Sequence, residues 1–257
     1  MLLANLFFLA KIIFPILIIF WLFSLRTQKV STIDSFWGTG FVIISWLTFF
    51  RFENAFPNNF LLLVLVTVWG LRLTFYLVWR NWNKPEDYRY QAMRHRAGKI
   101  FPWLSLFSVF IFQGCLILTI SVPLQLAFMS NREWSWLNVL GTVTTIAGIL
   151  FESVGDYQLA QFKKHPENKG QVFDRGLWRF SRHPNYFGDF LVWWGFYLFA
   201  LNAGDGWSLF SPLLMSFLLI RVSGVPLLES SLCQRTEGYK DYVNKTSPFF
   251  PRRPRKH

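Results

Sequence analysis

Charge is scarce in this chain. Only 16% of its 257 residues are Asp, Glu, Lys or Arg, against about a quarter in an ordinary soluble domain, while 53% are apolar. That balance excludes a conventional soluble surface. Cysteine is scarcer still, with Cys115 and Cys233 the only two, and there is no CxxC pair, no HExxH and no dense histidine cluster. Neither a disulfide framework nor a zinc site is expected, and no metal is assigned. A dinucleotide fingerprint is lacking too: the nearest string, GTGFVI at 38–43, has no final glycine and opens a helix instead of following a strand. Internal repeats, common in transporters, are absent. What the chain has in quantity is aromatic residues, 30 Phe and 13 Trp among them, gathered with other apolar residues into blocks of membrane-spanning length.

Because ~20 apolar residues cross the hydrocarbon, the expected architecture is an all-α integral membrane protein, a single transmembrane domain over 1–257. Its seven transmembrane helices are expected at about 4–25, 34–50, 59–79, 101–128, 134–155, 184–202 and 206–227. The first block lacks a basic leader and a small-residue cleavage pattern, so it reads as a helix and not as a signal peptide. Segments 26–33, 80–100, 156–183 and 221–257 hold 22 of the 26 Lys and Arg, whereas the alternate loops hold Arg51 and Arg132. The positive-inside bias then sets the N-terminus outside and the C-terminus in the cytoplasm, as in a bacterial inner membrane. A net charge of +12 would suggest nucleic acid in a soluble domain. Here topology and anionic headgroups account for it, so membrane lipids are expected partners and nucleic acid is not.

Ionisable groups inside spans are costly and usually face a bundle interior. Arg72 lies within the third span with Trp69 and Tyr76 on the same helical face. Asp34 and Trp37 open the second span, Glu152 and Asp156 close the fifth, and Asn185 and Asp189 open the sixth. Together they suggest a polar cavity open to the cytoplasm; the alternative is that Arg72 is a structural ion-pair partner of Glu152 or Asp189.

The most informative stretch is DRGLWRFSRHPNYFGDFLVWWG at 174–195. Pro184 suits the first turn of a helix, where its missing N–H costs nothing. Arg175, Arg179, Arg182 and His183 precede it, and unpaired N–H groups beside guanidinium groups suit a phosphate. One turn deeper, Asn185 and Asp189 offer an amide and a carboxylate on one face with Tyr186 alongside, groups suited to the ribose or carboxamide of a nucleotide. Gly188 and Gly195 allow close approach of a helix or a flat ring. The bland reading, an interfacial anchor, explains the Arg and Trp residues but not Asn185 and Asp189.

SRHPNYFGD followed by WWG resembles the steroid 5α-reductase C-terminal superfamily (3-oxo-5-alpha-steroid 4-dehydrogenase family), in the bacterial branch carried under an uncharacterised-domain (DUF1295-type) label. DSFWGTGF at 34–41, GLRLTFYLVWRNWNKPEDYRYQAMR at 70–94 and VSGVPLLE through GYKDYVNKTSPFFP at 222–251 fit the same branch. The resemblance implies a monomeric seven-helix reductase that takes NADPH from the cytoplasm and a flat apolar steroid or lipid enone from the bilayer. It also implies cofactor contacts at Arg72, Lys84, Asp156, Lys163, Asn185, Tyr186, Asp189, Arg221, Tyr239, Tyr242 and Lys245, and a carboxylate, Asp34, near the substrate carbonyl beside Trp37. One departure stands out. Trp69 occupies the position where the steroid enzymes carry a tyrosine, which leaves the carbonyl donor open among Asp34, Tyr76 and Tyr186.

The chemistry is coherent without the resemblance. Hydride addition to a conjugated enone builds negative charge on the carbonyl oxygen, so a donor aimed at that oxygen lowers the barrier. Two other readings share parts of the pattern: an isoprenylcysteine or phospholipid-type methyltransferase using S-adenosylmethionine, and a lipid carrier or transporter without catalysis.

Overall fold

The computed structural model describes residues 1–52, 59–222 and 238–255, and every regular element among them is helical. Five stretches are long and apolar enough to cross a membrane: Leu2–Thr27, Val30–Arg51, Phe60–Asn81, Tyr88–Ile120 and Trp136–Lys164. Large apolar side chains such as Phe7, Ile19, Phe75, Phe107 and Val143 stand exposed along them, as lipid-facing surfaces require. The elements group into two compact units, Met1–Trp134 with Asn202–Asp205 and Ser135–Leu201 with Gly206–His257.

In the first unit, α1 (Leu2–Thr27) buries Asn5, Leu9, Ile13, Leu17, Trp21 and Ser24, one stripe at helical spacing. A 3-10 turn, Val30–Ser35, leads into α2 (Phe36–Arg51), which packs on α3 (Phe60–Asn81). Their backbones meet at Gly38 and Gly70, where a Cβ on Gly38 would fall 2.1 Å from the Gly70 carbonyl oxygen. Only paired small residues permit that approach. Beside the crossing, the Thr39 and Thr74 hydroxyls hydrogen-bond at 2.9 Å and Phe41 packs on Trp69.

The expected fourth span at 101–128 is not one helix. A polar helix, α4 (Tyr88–Ala97), precedes it where a loop was expected, and the path continues through α5 (Phe101–Ser105), a π-helical turn Leu106–Ile111 and α6 (Phe112–Ile120). It breaks at Ser121, after which α7 (Val122–Met129) starts afresh. The cause is Pro123, which has no N–H for the carbonyl one turn back but suits the first turn of a new helix. At the break the Ser121 hydroxyl donates to the Leu118 carbonyl at 2.9 Å.

In the second unit, α8 (Trp136–Lys164) starts from a capping box formed by Ser135 and Asn138. It runs more than two turns past the expected end at 155. The extension is held by packing: the Trp178 indole donates to the Gly155 carbonyl at 3.0 Å and the Leu177 N–H donates to Gln158 at 3.0 Å. The next helix, α9 (Pro184–Asn202), coincides with the expected sixth span. These two helices cross along glycines spaced by seven on both sides. A Cβ on Gly141 would lie 2.9 Å from the Gly195 carbonyl oxygen, and one on Gly148 2.6 Å from that of Gly188. Beyond α9 come Gly206–Leu209, α10 (Phe210–Phe217), a π-helical turn Leu218–Val222 and α11 (Tyr239–Lys245). Residues 223–227 of the expected seventh span, and most of the VSGVPLLE string, lie outside the described residues.

Candidate functional site

Each unit carries one polar cluster. In the first, the 3-10 turn presents Asp34. Its Oδ1 accepts the Tyr90 hydroxyl at 3.1 Å, and its Oδ2 lies 3.5 Å from Nη2 of Arg89. Gln113 also faces the carboxylate. The Trp37 indole N–H donates to Oε1 of Gln113 at 2.6 Å, which fixes the amide so that its NH2 group is the end left for Asp34. The carboxylate therefore meets a hydroxyl, a guanidinium and an amide.

Two features hold this arrangement. Glu86 accepts the backbone N–H groups of Val30 and Ser31, the latter at 3.1 Å, and so caps the turn that carries Asp34. Arg94 donates to the side chain and carbonyl of Gln28, at 2.5 and 3.1 Å, and ties α4 to the end of α1. At the head of α4, Asp87 caps the helix through the Arg89 N–H and also pairs with the Arg89 guanidinium, both at 2.9 Å. Partial burial opposes ionisation of Asp87, but the Arg89 bonds outweigh it and hold the carboxyl below the usual aspartate range.

Trp37 thus joins Asp34 through Gln113. Trp69 is fully buried against Phe41. Arg72 is half-buried with Nε and Nη2 shielded from solvent, and Tyr76 packs on Trp79 with the Arg80 guanidinium 5.8 Å from its ring centroid. Lys84 is exposed in the turn after α3; partial desolvation, then the neighbouring Arg80 charge, hold it below the ordinary lysine range.

The second cluster sits on the α8–α9 crossing. Asn185 donates its Nδ2 to Oδ1 of Asp156 at 3.0 Å. An ionised carboxylate only accepts, so this bond orients the amide and turns its oxygen the other way. That Oδ1 is buried and has no hydrogen-bond partner. Glu152, Asp156 and Asp189 are buried within the same crossing. The ring of His183 stacks on Tyr186 at 5.4 Å, 5° from parallel.

A strap formed by α11 and residues 246–255 closes over the start of α9. Arg182 donates Nη1 to the carbonyls of Val243 and Thr246 at 2.8 and 2.6 Å, satisfying the open C-terminal end of α11. The Tyr242 hydroxyl donates to the Trp178 carbonyl, and Tyr239 packs edge-on against Tyr242. Of the sequence-derived candidates, Arg182 therefore has backbone partners in hand, and Lys163, Arg221 and Lys245 are exposed at element ends. No cluster of metal-ligating side chains occurs among the described residues.

Arg89, Tyr90 and Gln113 escaped the sequence reading. Arg89 and Tyr90 lie inside the 70–94 string already singled out, but their partner is 55 and 56 residues away, a separation that local spacing does not reveal. The seven-residue glycine spacing of α8 was a readable signal of the helix crossing.

No solved structure matches the chain. The Schizosaccharomyces pombe protein named "Uncharacterized protein C594.04c" is 27% identical over 263 residues, covering 91% of this chain and 76% of that one. The family described as "Protein of unknown function (DUF1295)" matches residues 20–246, a range that contains both polar clusters, and the chain belongs to that family.

Proposed function

We propose that the protein is an NADPH-dependent membrane reductase that saturates a conjugated C=C bond of an apolar enone drawn from the bilayer, a 3-oxo-Δ4-steroid being the favoured substrate. The reading includes seven crossings, with α9 and the Gly206–Val222 helix as the sixth and seventh, and a cofactor site facing the cytoplasm. One observation carries it: the Asn185 amide is oriented by Asp156 so that a buried carbonyl oxygen is left as an acceptor at the start of α9. A nicotinamide carboxamide or a ribose hydroxyl is a donor of the required kind. The resemblance of SRHPNYFGD to the steroid 5α-reductases supports the same cofactor.

When bound, the cofactor supplies hydride to the β-carbon of the enone. Negative charge then gathers on the carbonyl oxygen, and a proton must reach the α-carbon. Asp34, ringed by donors, acts as an acceptor that positions the Arg89 guanidinium, whose remaining N–H groups are donors of the kind that oxygen needs. Tyr90, whose hydroxyl proton goes to Asp34, holds that carboxylate in place, and Arg89 stands ahead of Tyr76 and Tyr186 as the donor. His183 and the stacked Tyr186 border the cofactor end.

The test is NADPH binding to the purified full-length protein in detergent, followed by fluorescence. Asn185→Ala is expected to weaken binding about tenfold, the value of one well-made buried hydrogen bond, with the helical circular-dichroism signal unchanged. A wild-type protein that binds no NADPH, or equal affinities in wild type and variant, overturns the assignment. Co-purified S-adenosylmethionine would point to the methyltransferase reading instead.

A further inference from the structure

The strap that closes over α9 also presents an array of cations, of which Lys240, Arg252, Arg253 and Arg255 have no part in the reductase reading. Arg179, Lys240, Lys245, Arg252, Arg253 and Arg255 are all exposed. None of them has a carboxylate partner among the described residues. Among the described residues their acidic neighbours in sequence are Asp174 and Asp241, also exposed, so the described part of the segment keeps a clear positive excess.

The array is fixed in place. The Arg252 N–H donates to the Phe180 carbonyl at 2.9 Å and the Arg255 N–H to the Lys245 carbonyl at 3.0 Å. The Ser181 hydroxyl donates to the Phe249 carbonyl at 2.7 Å, and the Arg182 N–H to that of Ser247 at 2.9 Å. Prolines at 248, 251 and 254 stiffen the segment further. Anchoring is aromatic as well: Phe249 and Phe250 pack on Phe187 and Phe190, in the first two turns of α9. Phe249 is buried, whereas Phe250 and Phe180 are left exposed among the cations. A flexible tail loses entropy when it binds, and a pinned one loses far less.

From this we infer that the strap is a docking surface for the headgroups of an anionic phospholipid bilayer. Guanidinium groups pair with phosphodiester oxygens in bidentate fashion, and exposed Phe side chains between them insert at the level where headgroups give way to acyl chains. Placement agrees with chemistry, because the strap sits on the first turns of an apolar helix, which is where a bilayer surface lies if that helix crosses. Bound headgroups hold the strap down, and the strap holds the 178–190 segment that starts α9. The inference rests on α9 crossing the membrane and not on any reaction.

Hydrogen–deuterium exchange tests it on the full-length protein in nanodiscs of neutral phosphatidylcholine with increasing phosphatidylglycerol. Protection of 238–255 and 178–187 is expected to rise with phosphatidylglycerol and to fall with salt. Each basic side chain near an anionic surface strengthens binding roughly fivefold. The triple variant R252Q/R253Q/R255Q should therefore need on the order of a hundredfold more anionic lipid and show no rise within the accessible range. None of the three side chains enters a hydrogen bond that holds the strap among the described residues, so the variant's exchange in phosphatidylcholine alone should match the wild type. Exchange independent of lipid charge, or a triple variant that responds like wild type, overturns the inference. So does equal protection from inorganic phosphate added to neutral nanodiscs, which would make the array a site for free phosphate.

Discussion

Replacing Gly188 by alanine tests whether the α8–α9 crossing positions the second polar cluster. A Cβ built there lies 2.5 Å from the Glu152 backbone nitrogen, 2.7 Å from the Gly148 carbonyl oxygen and 2.8 Å from the Glu152 Cβ. Ordinary contact begins near 3.4 Å, so the helices must part by about 0.9 Å. Two of the three obstacles are backbone atoms, which have no rotamer to escape into. Overpacking of this kind costs about 1–3 kcal/mol, or a Tm lower by roughly 2–12 °C in a protein of this size. The Asn185–Asp156 bond, at 3.0 Å, lies less than one turn away and would stretch past hydrogen-bonding range. Gly155→Ala is the internal standard, because its nearest obstacle is the Asn185 nitrogen at 3.2 Å, a few tenths of an ångström from comfort. The assay is thermal unfolding in detergent, with and without NADPH. Gly188→Ala should be clearly less stable than Gly155→Ala and should lose the stabilisation that NADPH gives. Equal melting temperatures for the two variants would refute the close crossing.

Tyr90→Phe removes the hydroxyl that holds Asp34 in place and should lower enone turnover about tenfold with NADPH affinity unchanged; normal turnover would take Tyr90 out of the mechanism. Gln113→Leu should shift the fluorescence of Trp37, whose indole loses its acceptor, and an unaltered spectrum counts against that contact. Asp87 has a folded pKa below its unfolded value, so its stabilisation is fully present above the ordinary aspartate range and disappears as pH falls through the lower folded value. Asp87→Asn keeps a capping side chain but cannot titrate, and should flatten the acid limb of a stability–pH curve. Superimposable limbs would refute the assignment.

Apolar block length made most helices legible, and Pro184 fixed the start of α9 to the residue. Two kinds of information were not local. The π-helical turn at Leu106–Ile111 and the break at Ser121 lie within one predominantly apolar block that holds no charged residue, where Pro123 is the local clue. The end of α8 was misjudged because its last turns are polar and are kept helical by the Trp178 and Leu177 contacts, which come from a later loop. The candidate sites divide the same way. Asp156, Asn185 and Asp189 could be chosen because charge and amide are rare in apolar company. Tyr90 and Arg89 could not, because on a polar helix such as α4 they are unremarkable until Asp34 folds against them.

The tie between Arg182 and α11 sets an order on biosynthesis. The carbonyls that receive its guanidinium lie 61 and 64 residues downstream, and the partner of Ser181 lies 68 downstream. A ribosome that has just released α9 therefore exposes an arginine whose acceptors have not been translated. The segment ahead of that helix can mature only once the remaining chain emerges. Stop codons walked backward from residue 255 should accordingly produce an abrupt rise in proteolytic turnover between Phe249 and Val243, not a gradual one.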